Sequence, residues 1–206
     1  MPKYADKASV FIQNELSLSE EKREVIAYGV EAFTSTVLCF LGIVLFGYLF
    51  SFLGPVLAIS LTAALVKIYT GGPHCNTMLR CIIVTITIFM TLSYISTSFL
   101  VPSLSLITGG LVISLILIAR YAPVEVKQKP LSDNHKKALR KGTFKMSILF
   151  VSLVGLLYFF FSEYFALYLV IGFLWMGFAI TPMGFAIINY SDKFLKFFED
   201  SIIKCR

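Results

Sequence analysis

Residue types that perform nucleophilic chemistry stand close together in one short polar stretch of an otherwise apolar chain. The stretch reads YTGGPHCNTMLRC from Tyr69 to Cys81, and it holds one of the two histidines and two of the four cysteines. A cysteine peptidase needs a thiolate nucleophile and a base that accepts the thiol proton and later protonates the leaving amine. His74 and Cys81 are therefore the candidate catalytic pair, and Cys75 is a rival nucleophile on chemistry alone.

The neighbouring residues predict how the chain positions this pair. Gly71 and Gly72 tolerate a positive φ and end a helix sharply, and the proline that follows fits a first helical turn. Cys81 then lies near the start of the next helix, where unpaired N–H groups and the helix dipole favour a thiolate. One straight helix would separate His74 from Cys81 by about 10 Å, whereas a hydrogen bond needs about 3 Å. The pair therefore requires the glycine-rich segment to fold back.

The segments on either side are apolar enough to cross a membrane. The 206-residue chain is 57% hydrophobic and 15% charged, whereas a soluble domain has about 25% charged residues. A bilayer-spanning helix needs roughly 20 mostly apolar residues. The six predicted spans are Val25–Phe50, Phe52–Tyr69, Ile82–Val101, Leu104–Ile118, Met146–Phe161 and Tyr164–Ile188. Six such runs cannot be buried in a soluble chain of this size, so the predicted fold class is an all-α integral membrane protein.

The predicted organisation is a single membrane domain built from three helical hairpins. Residues 25–188 form the six-span bundle, residues 1–24 an interfacial segment and residues 189–206 an amphipathic tail. Apolar residues recur at helical spacing at both ends: Tyr4, Ala8, Phe11 and Ile12, then Phe194, Leu195, Phe198 and Ile202. Both ends are therefore predicted to be amphipathic helices that lie on the lipid bilayer.

The basic residues predict which side of the membrane the candidate pair faces. Cytoplasmic loops are enriched in Lys and Arg. In a six-span topology the 18 basic residues all fall on one side, and the three tight turns on the other side have none. The termini and the loop between His74 and Cys81 are therefore predicted to be cytoplasmic. The net charge of +6 is expected to reflect topology and contact with anionic lipid, not nucleic-acid binding.

Two other functional classes are compatible with a small polytopic protein. A transporter would line a path with polar residues, but the sequence shows no inverted repeat and no matched pair of broken helices. A non-enzymatic membrane scaffold would need no reactive residues. Neither class explains why His74 is paired with Cys81. On spacing alone, simple packing of a His and a Cys at a membrane-edge loop remains a competing interpretation.

The chain resembles the AgrB family of membrane peptidases, which process peptide pheromone precursors in Gram-positive bacteria. The family pattern is Gly-Gly-x-His followed seven residues later by Cys, and here it runs from Gly71 through His74 to Cys81. A second similar stretch, YAPVE followed by KPL and a basic run, begins at Tyr121 after the fourth predicted span. Cys75 departs from the pattern, because a small residue such as Ala is expected there.

The resemblance implies a cysteine endopeptidase with no cofactor and no metal. Its substrate would be a short precursor with an amphipathic leader, a central pheromone segment and an acidic tail. Cys81 would attack the carbonyl at the junction with the tail, while His74 would act first as base and then as acid. A Cys or Ser of the precursor would then attack the thioester and close a thiolactone or lactone ring. A homodimer is also implied.

Other polar residues are candidates for supporting roles. Six basic residues after the fourth span are predicted to hold the acidic tail, unless they only set topology: Lys127, Lys129, Lys136, Lys137, Arg140 and Lys141. Asn76 and Thr77 are possible oxyanion donors. Glu31 lies within the first span, where ionisable residues are often functional, or it pairs with Lys67. Pro182 predicts a kink in the sixth span.

Overall fold

The computed structural model describes residues 3–16, 19–124 and 133–204, and nearly all of these residues are helical. The elements are α1 Lys3–Leu16, α2 Glu20–Leu49, α3 Leu53–Thr70, α4 Met78–Ser98, α5 Leu104–Tyr121, α6 Asp133–Phe160, α7 Glu163–Ala179 and α8 Pro182–Lys204. Helices α2 to α6 are long and apolar enough to cross a membrane, and α7 with α8 meets the same criterion as a bent pair. The predicted all-α, multi-pass membrane fold is confirmed.

The sixth predicted span, Tyr164–Ile188, is not one straight helix. Helix α7 ends at Ala179 and α8 begins at Pro182, with a bend of 87° between them. Proline is well suited to the first position of a helix, and the Thr181 hydroxyl accepts the backbone N–H of Gly184 at 3.1 Å. A Cβ on Gly184 would lie 2.6 Å from the Cα of Ala179. The predicted kink is therefore a full change of direction.

Helix α6 also differs from its predicted boundaries. The predicted fifth span, Met146–Phe161, is the apolar end of a 28-residue helix that begins at Asp133. The chain before Met146 contains Lys, Ala, Leu and Arg, which all have high helix propensity. Basic residues that were predicted to lie in a loop are therefore held on the first turns of a helix.

Helix α7 forms the centre of the bundle, between α3 and α5. Phe173 and Leu167 are almost completely buried, and the Phe173 ring stacks on Phe150 of α6 at a centroid distance of 4.6 Å. Two glycines allow this close packing. A Cβ on Gly172 would lie 2.5 Å from the Ile59 carbonyl oxygen of α3, and one on Gly177 would lie 3.3 Å from the Ser114 carbonyl oxygen of α5. Small residues of this kind allow helix backbones to approach in membranes.

The helices at the two ends of the chain leave apolar side chains uncovered. Phe11 of α1 and Phe194 and Phe197 of α8 are all more than half exposed. Helix α1 packs beside the start of α2, where Arg23 forms ion pairs with Asp6 at 3.6 Å and with Glu20 at 2.9 Å. Helices are therefore present in both predicted terminal segments, although α8 begins at Pro182 and not at the predicted residue 189.

Candidate active site

Helices α3 and α4 are joined by a short non-helical segment, residues 71–77, which we call the 71–77 loop. Gly71 ends α3 with a φ of +71°, in the left-handed region that favours glycine. A Cβ at this position would also lie 2.7 Å from the Val124 carbonyl oxygen. Gly71 is therefore required both by its backbone conformation and by the chain that packs against it.

Residues 122–124 of the YAPVE stretch, which follow the end of α5, pack directly against this loop. The Val124 N–H donates to the Thr70 carbonyl oxygen at 2.9 Å. Thr70 is fully buried, and its hydroxyl donates to the Val66 and Gly71 carbonyl oxygens, each at 3.1 Å. The two stretches that resemble the family pattern are thus joined by a backbone hydrogen bond, although they are some 50 residues apart in the sequence.

The loop brings His74 back to Cys81. The side chains of Cys75 and His74 and the backbone N–H of Cys75 lie close enough to the Cys81 sulfur to affect its ionisation. The separation expected for a straight helix does not arise, because α4 begins only at Met78. His74 is exposed and Cys81 is partly buried. The imidazole therefore reaches water while the sulfur is sheltered.

The two neighbouring thiols have different surroundings. The hydrogen bond with Cys81, followed by burial and by the charges of Cys81 and Asp192, raises the pKa of the Cys75 thiol. These surroundings favour the neutral form of the Cys75 thiol. Cys81 instead lies near a second donor, the Cys75 N–H, and near the Lys67 side chain. Negative charge is better accommodated on Cys81, so these contacts favour it over Cys75 as the nucleophile.

Lys67 is a site residue that its position in the sequence did not reveal. It lies in the last turn of α3, and its Nζ donates to the Pro73 carbonyl oxygen at 3.5 Å. It also interacts electrostatically with Cys81 and Cys75. The sequence predicts Lys67 to be a topology signal or a partner of Glu31. Among the described residues, no ion pair joins Lys67 to Glu31. The signal that the sequence offers for this role is a basic residue one helical turn before Gly71, which ends α3.

A second unpredicted contact ties α8 to the loop. Asp192 accepts the Asn76 N–H at 3.3 Å and the Asn76 side-chain amide at 2.5 Å. Arg80 forms an ion pair with the Asp192 carboxylate at 3.1 Å and donates to its carbonyl oxygen at 3.3 Å. Arg80 Nε also donates to the Thr77 hydroxyl at 2.8 Å. Asn76 and Thr77, predicted as oxyanion donors, are thus engaged with Asp192 and Arg80.

The predicted substrate-binding residues separate into three groups. Lys136, Lys137 and Arg140 line one cavity of about 320 Å³ together with Pro123 of the YAPVE stretch. Lys141 is exposed on α6 and does not line this cavity. Lys127 and Lys129 lie outside the described residues.

A larger apolar cavity adjoins the basic one. Its volume is about 550 Å³, and it lies between α5 and α6 with Ile118, Phe144 and Ile148 among its walls. Arg140 lines both cavities. The two spaces therefore form a groove that is apolar between the helices and basic at one end.

Comparison with known proteins places most of the chain in one family. The family profile described as accessory gene regulator B matches residues 5–180. A protein of Clostridium perfringens strain SM101 that is named AgrB-like is 23% identical over 197 residues, with 89% of this chain and 92% of the relative covered. A second AgrB-like protein, from C. perfringens strain 13, is 24% identical with the same coverage. No solved structure matches the chain.

Proposed function

The chain belongs to the accessory gene regulator B family, and we propose that it is a membrane-embedded cysteine endopeptidase that processes a peptide pheromone precursor. The observation that carries this proposal is the gathering of His74, Cys75 and Lys67 around the Cys81 sulfur. An imidazole, a hydrogen-bond donor and a lysine side chain near one cysteine are surroundings that can activate a thiol as a nucleophile. Simple packing gives no reason to gather these groups.

In the proposed reaction, the Cys81 thiolate attacks the carbonyl carbon where the pheromone segment joins the C-terminal tail. His74 has taken the thiol proton and passes it to the leaving amine, so that the peptide bond breaks and a thioester forms on Cys81. Because His74 is exposed, its imidazole exchanges protons with water between turnovers. Cys75 stays protonated and acts only as a hydrogen-bond donor.

The second half of the proposed reaction closes a ring. A Cys or Ser side chain of the precursor gives its proton to His74 and attacks the thioester, the Cys81 thiolate leaves, and a thiolactone or lactone forms. Attack by a thiol exchanges one thioester for another and is nearly balanced in free energy, so water must be kept from hydrolysing the intermediate. The partly buried position of Cys81 at the first turn of an apolar helix supports this requirement.

The basic cavity is the proposed site for the acidic tail of the precursor. Lys136, Lys137 and Arg140 lie around Pro123, and the stretch that contains Pro123 is bonded through Val124 to the end of α3. A tail bound there would lie next to the chain segment that holds the loop. In this proposal the loop faces the cytoplasm, and the amphipathic leader lies on the surface of the cell membrane.

Co-expression with a short acidic-tailed precursor peptide tests this proposal, with products identified by mass. Wild-type protein should release the tail, whereas Cys81→Ala and His74→Ala should leave the peptide intact at wild-type levels of membrane insertion. An intact peptide with the wild-type protein, or equal cleavage by Cys81→Ala, would overturn the proposal.

A further inference from the structure

Asp192 is an acidic side chain with an unusual position for a residue of a terminal amphipathic helix. It is 3% exposed and its partner Arg80 is 8% exposed, whereas most of the charged residues on α8 point outwards. Burying a carboxylate is costly unless its oxygens are paired and hydrogen-bonded. Both Asp192 oxygens are used, by the Asn76 N–H, the Asn76 amide and the Arg80 guanidinium.

We propose that Asp192 is a positioning residue, which ties α8 to the 71–77 loop and thereby holds His74 and Cys75 against Cys81. The inference rests on the proposed function for its catalytic meaning. Its contacts and its central test, however, concern only the positions and reactivity of the thiols.

The contacts lie at both ends of the segment that must fold back. Asn76 directly follows Cys75, and fixing the Asn76 N–H fixes the peptide group between these two residues. Arg80 directly precedes Cys81, and its bonds to the Thr77 hydroxyl and to Asp192 hold the first turn of α4. The Asp192 carboxylate therefore contacts one residue beside each thiol, and Glu199 of α8 adds a second ion pair to Arg80 at 3.6 Å.

The turn between α7 and α8 gives Asp192 access to the loop. Asp192 lies ten residues after Pro182, which corresponds to about 15 Å along a helix axis. A straight continuation of α7 would carry this carboxylate away from the end of the bundle. The 87° turn instead directs α8 across to α4. This turn, with the Thr181 cap and the close packing at Gly184, makes the contact possible.

Asp192 also affects which thiol ionises. Its negative charge contributes to the raised pKa of Cys75, and the positive charge of Arg80 opposes this contribution. Asp192 therefore contributes to keeping Cys75 neutral as well as to holding it in place. Without the carboxylate, Cys75 would be both looser and more readily ionised, so that its reactivity toward alkylating agents should rise.

The experiment measures alkylation of the thiols with iodoacetamide in the full-length, membrane-inserted protein, without any precursor peptide. Rates at Cys75 and Cys81 are read separately by peptide mass mapping. In Asp192→Ala, the rate of Cys75 alkylation should be about 10-fold or more higher than in wild type. This is the size expected when hydrogen bonds to a charged group are removed. Asp200→Asn removes the same charge from an exposed position of α8 and should leave both rates unchanged.

Two further variants guard against simple misfolding. Asp192→Asn keeps the shape of the side chain, and combining it with Asn76→Asp exchanges the two partners, so the double variant should restore Cys75 alkylation to within about threefold of wild type. With a cleavable precursor, Asp192→Asn should lower kcat by about 10-fold to 100-fold and change KM little.

Unchanged alkylation of Cys75 in both Asp192 variants would overturn the positioning role. The positioning role would also be overturned if Cys75 were alkylated as fast in the double variant as in Asp192→Asn alone. If wild-type protein cleaves no peptide while the alkylation pattern is as expected, the proposed function fails and the positioning role stands.

Discussion

The basic cavity allows the role of positive charge to be separated from its effect on topology. Lys137 and Arg140 line the cavity beside Pro123, so changing both to Gln should weaken binding of an acidic tail. Both are exposed, and an exposed ion pair contributes about 0.2–1 kcal/mol. Two such losses amount to about 0.4–2 kcal/mol, which corresponds to roughly a 2-fold to 30-fold rise in KM with little change in kcat.

The assay follows tail release by mass at low and at physiological ionic strength. Attraction between exposed charges is screened over about 8 Å at physiological salt, so the rise in KM should shrink as salt increases. Lys145→Gln with Lys196→Gln is the matched control, because it removes two exposed basic charges that do not line the cavity. Cysteine accessibility in each variant checks that the spans keep their orientation.

The reasoning is refuted if both double variants raise KM equally, since net charge alone would then explain the effect. It is also refuted if the Lys137 and Arg140 variant keeps the wild-type KM at low salt with its topology intact. In either case the basic residues of α6 would act only as a topology signal.

Three further predictions concern the loop. Cys81→Ala should abolish cleavage. Cys75→Ala should keep activity within about tenfold of wild type, because a thiol is a weak donor and the backbone N–H remains. Loss of activity only in Cys75→Ala would make Cys75 the nucleophile instead of Cys81. His74→Ala should insert into the membrane and retain its helix content, as measured by circular dichroism, but lose cleavage in the mass assay. Full activity of this variant would show that His74 and Cys81 are not a catalytic pair. Gly71→Ala should be destabilised by about 1–2 kcal/mol or more, because a left-handed conformation is costly for alanine, whereas Gly155→Ala, with open space around it, should melt no lower than wild type.

Much of the fold follows from the sequence because a bilayer makes apolar length a direct signal. The predicted first five spans correspond to α2 through α6, since each apolar run is bounded by turn residues or charges. The sixth was predicted too long, because residues 164–188 remain apolar on both sides of the break. An apolar composition predicts that the segment avoids water, but it does not predict where the helix changes direction.

The candidate site could be predicted only in part from the sequence, for a similar reason. His74 and Cys81 are recognisable by residue type, spacing and the preceding glycines, and these features also predicted the need for a fold-back. Asp192 is 116 residues from Asn76, and no local pattern joins them. Their contact depends on the turn at Pro182, which sets where α8 lies. Lys67 was obscured because a basic residue at the end of a span is expected for topology alone.

The central claim is that Cys81 carries the acyl group of the precursor. A precursor whose ring-forming Cys or Ser is replaced by Ala cannot close the ring, so the acyl-enzyme should accumulate. After denaturation in acid, peptide mass mapping of the wild-type protein should show the pheromone segment attached to Cys81 through a bond that hydroxylamine cleaves. Attachment to Cys75 instead, or tail release at the wild-type rate by Cys81→Ala with no adduct on any cysteine, would contradict the account.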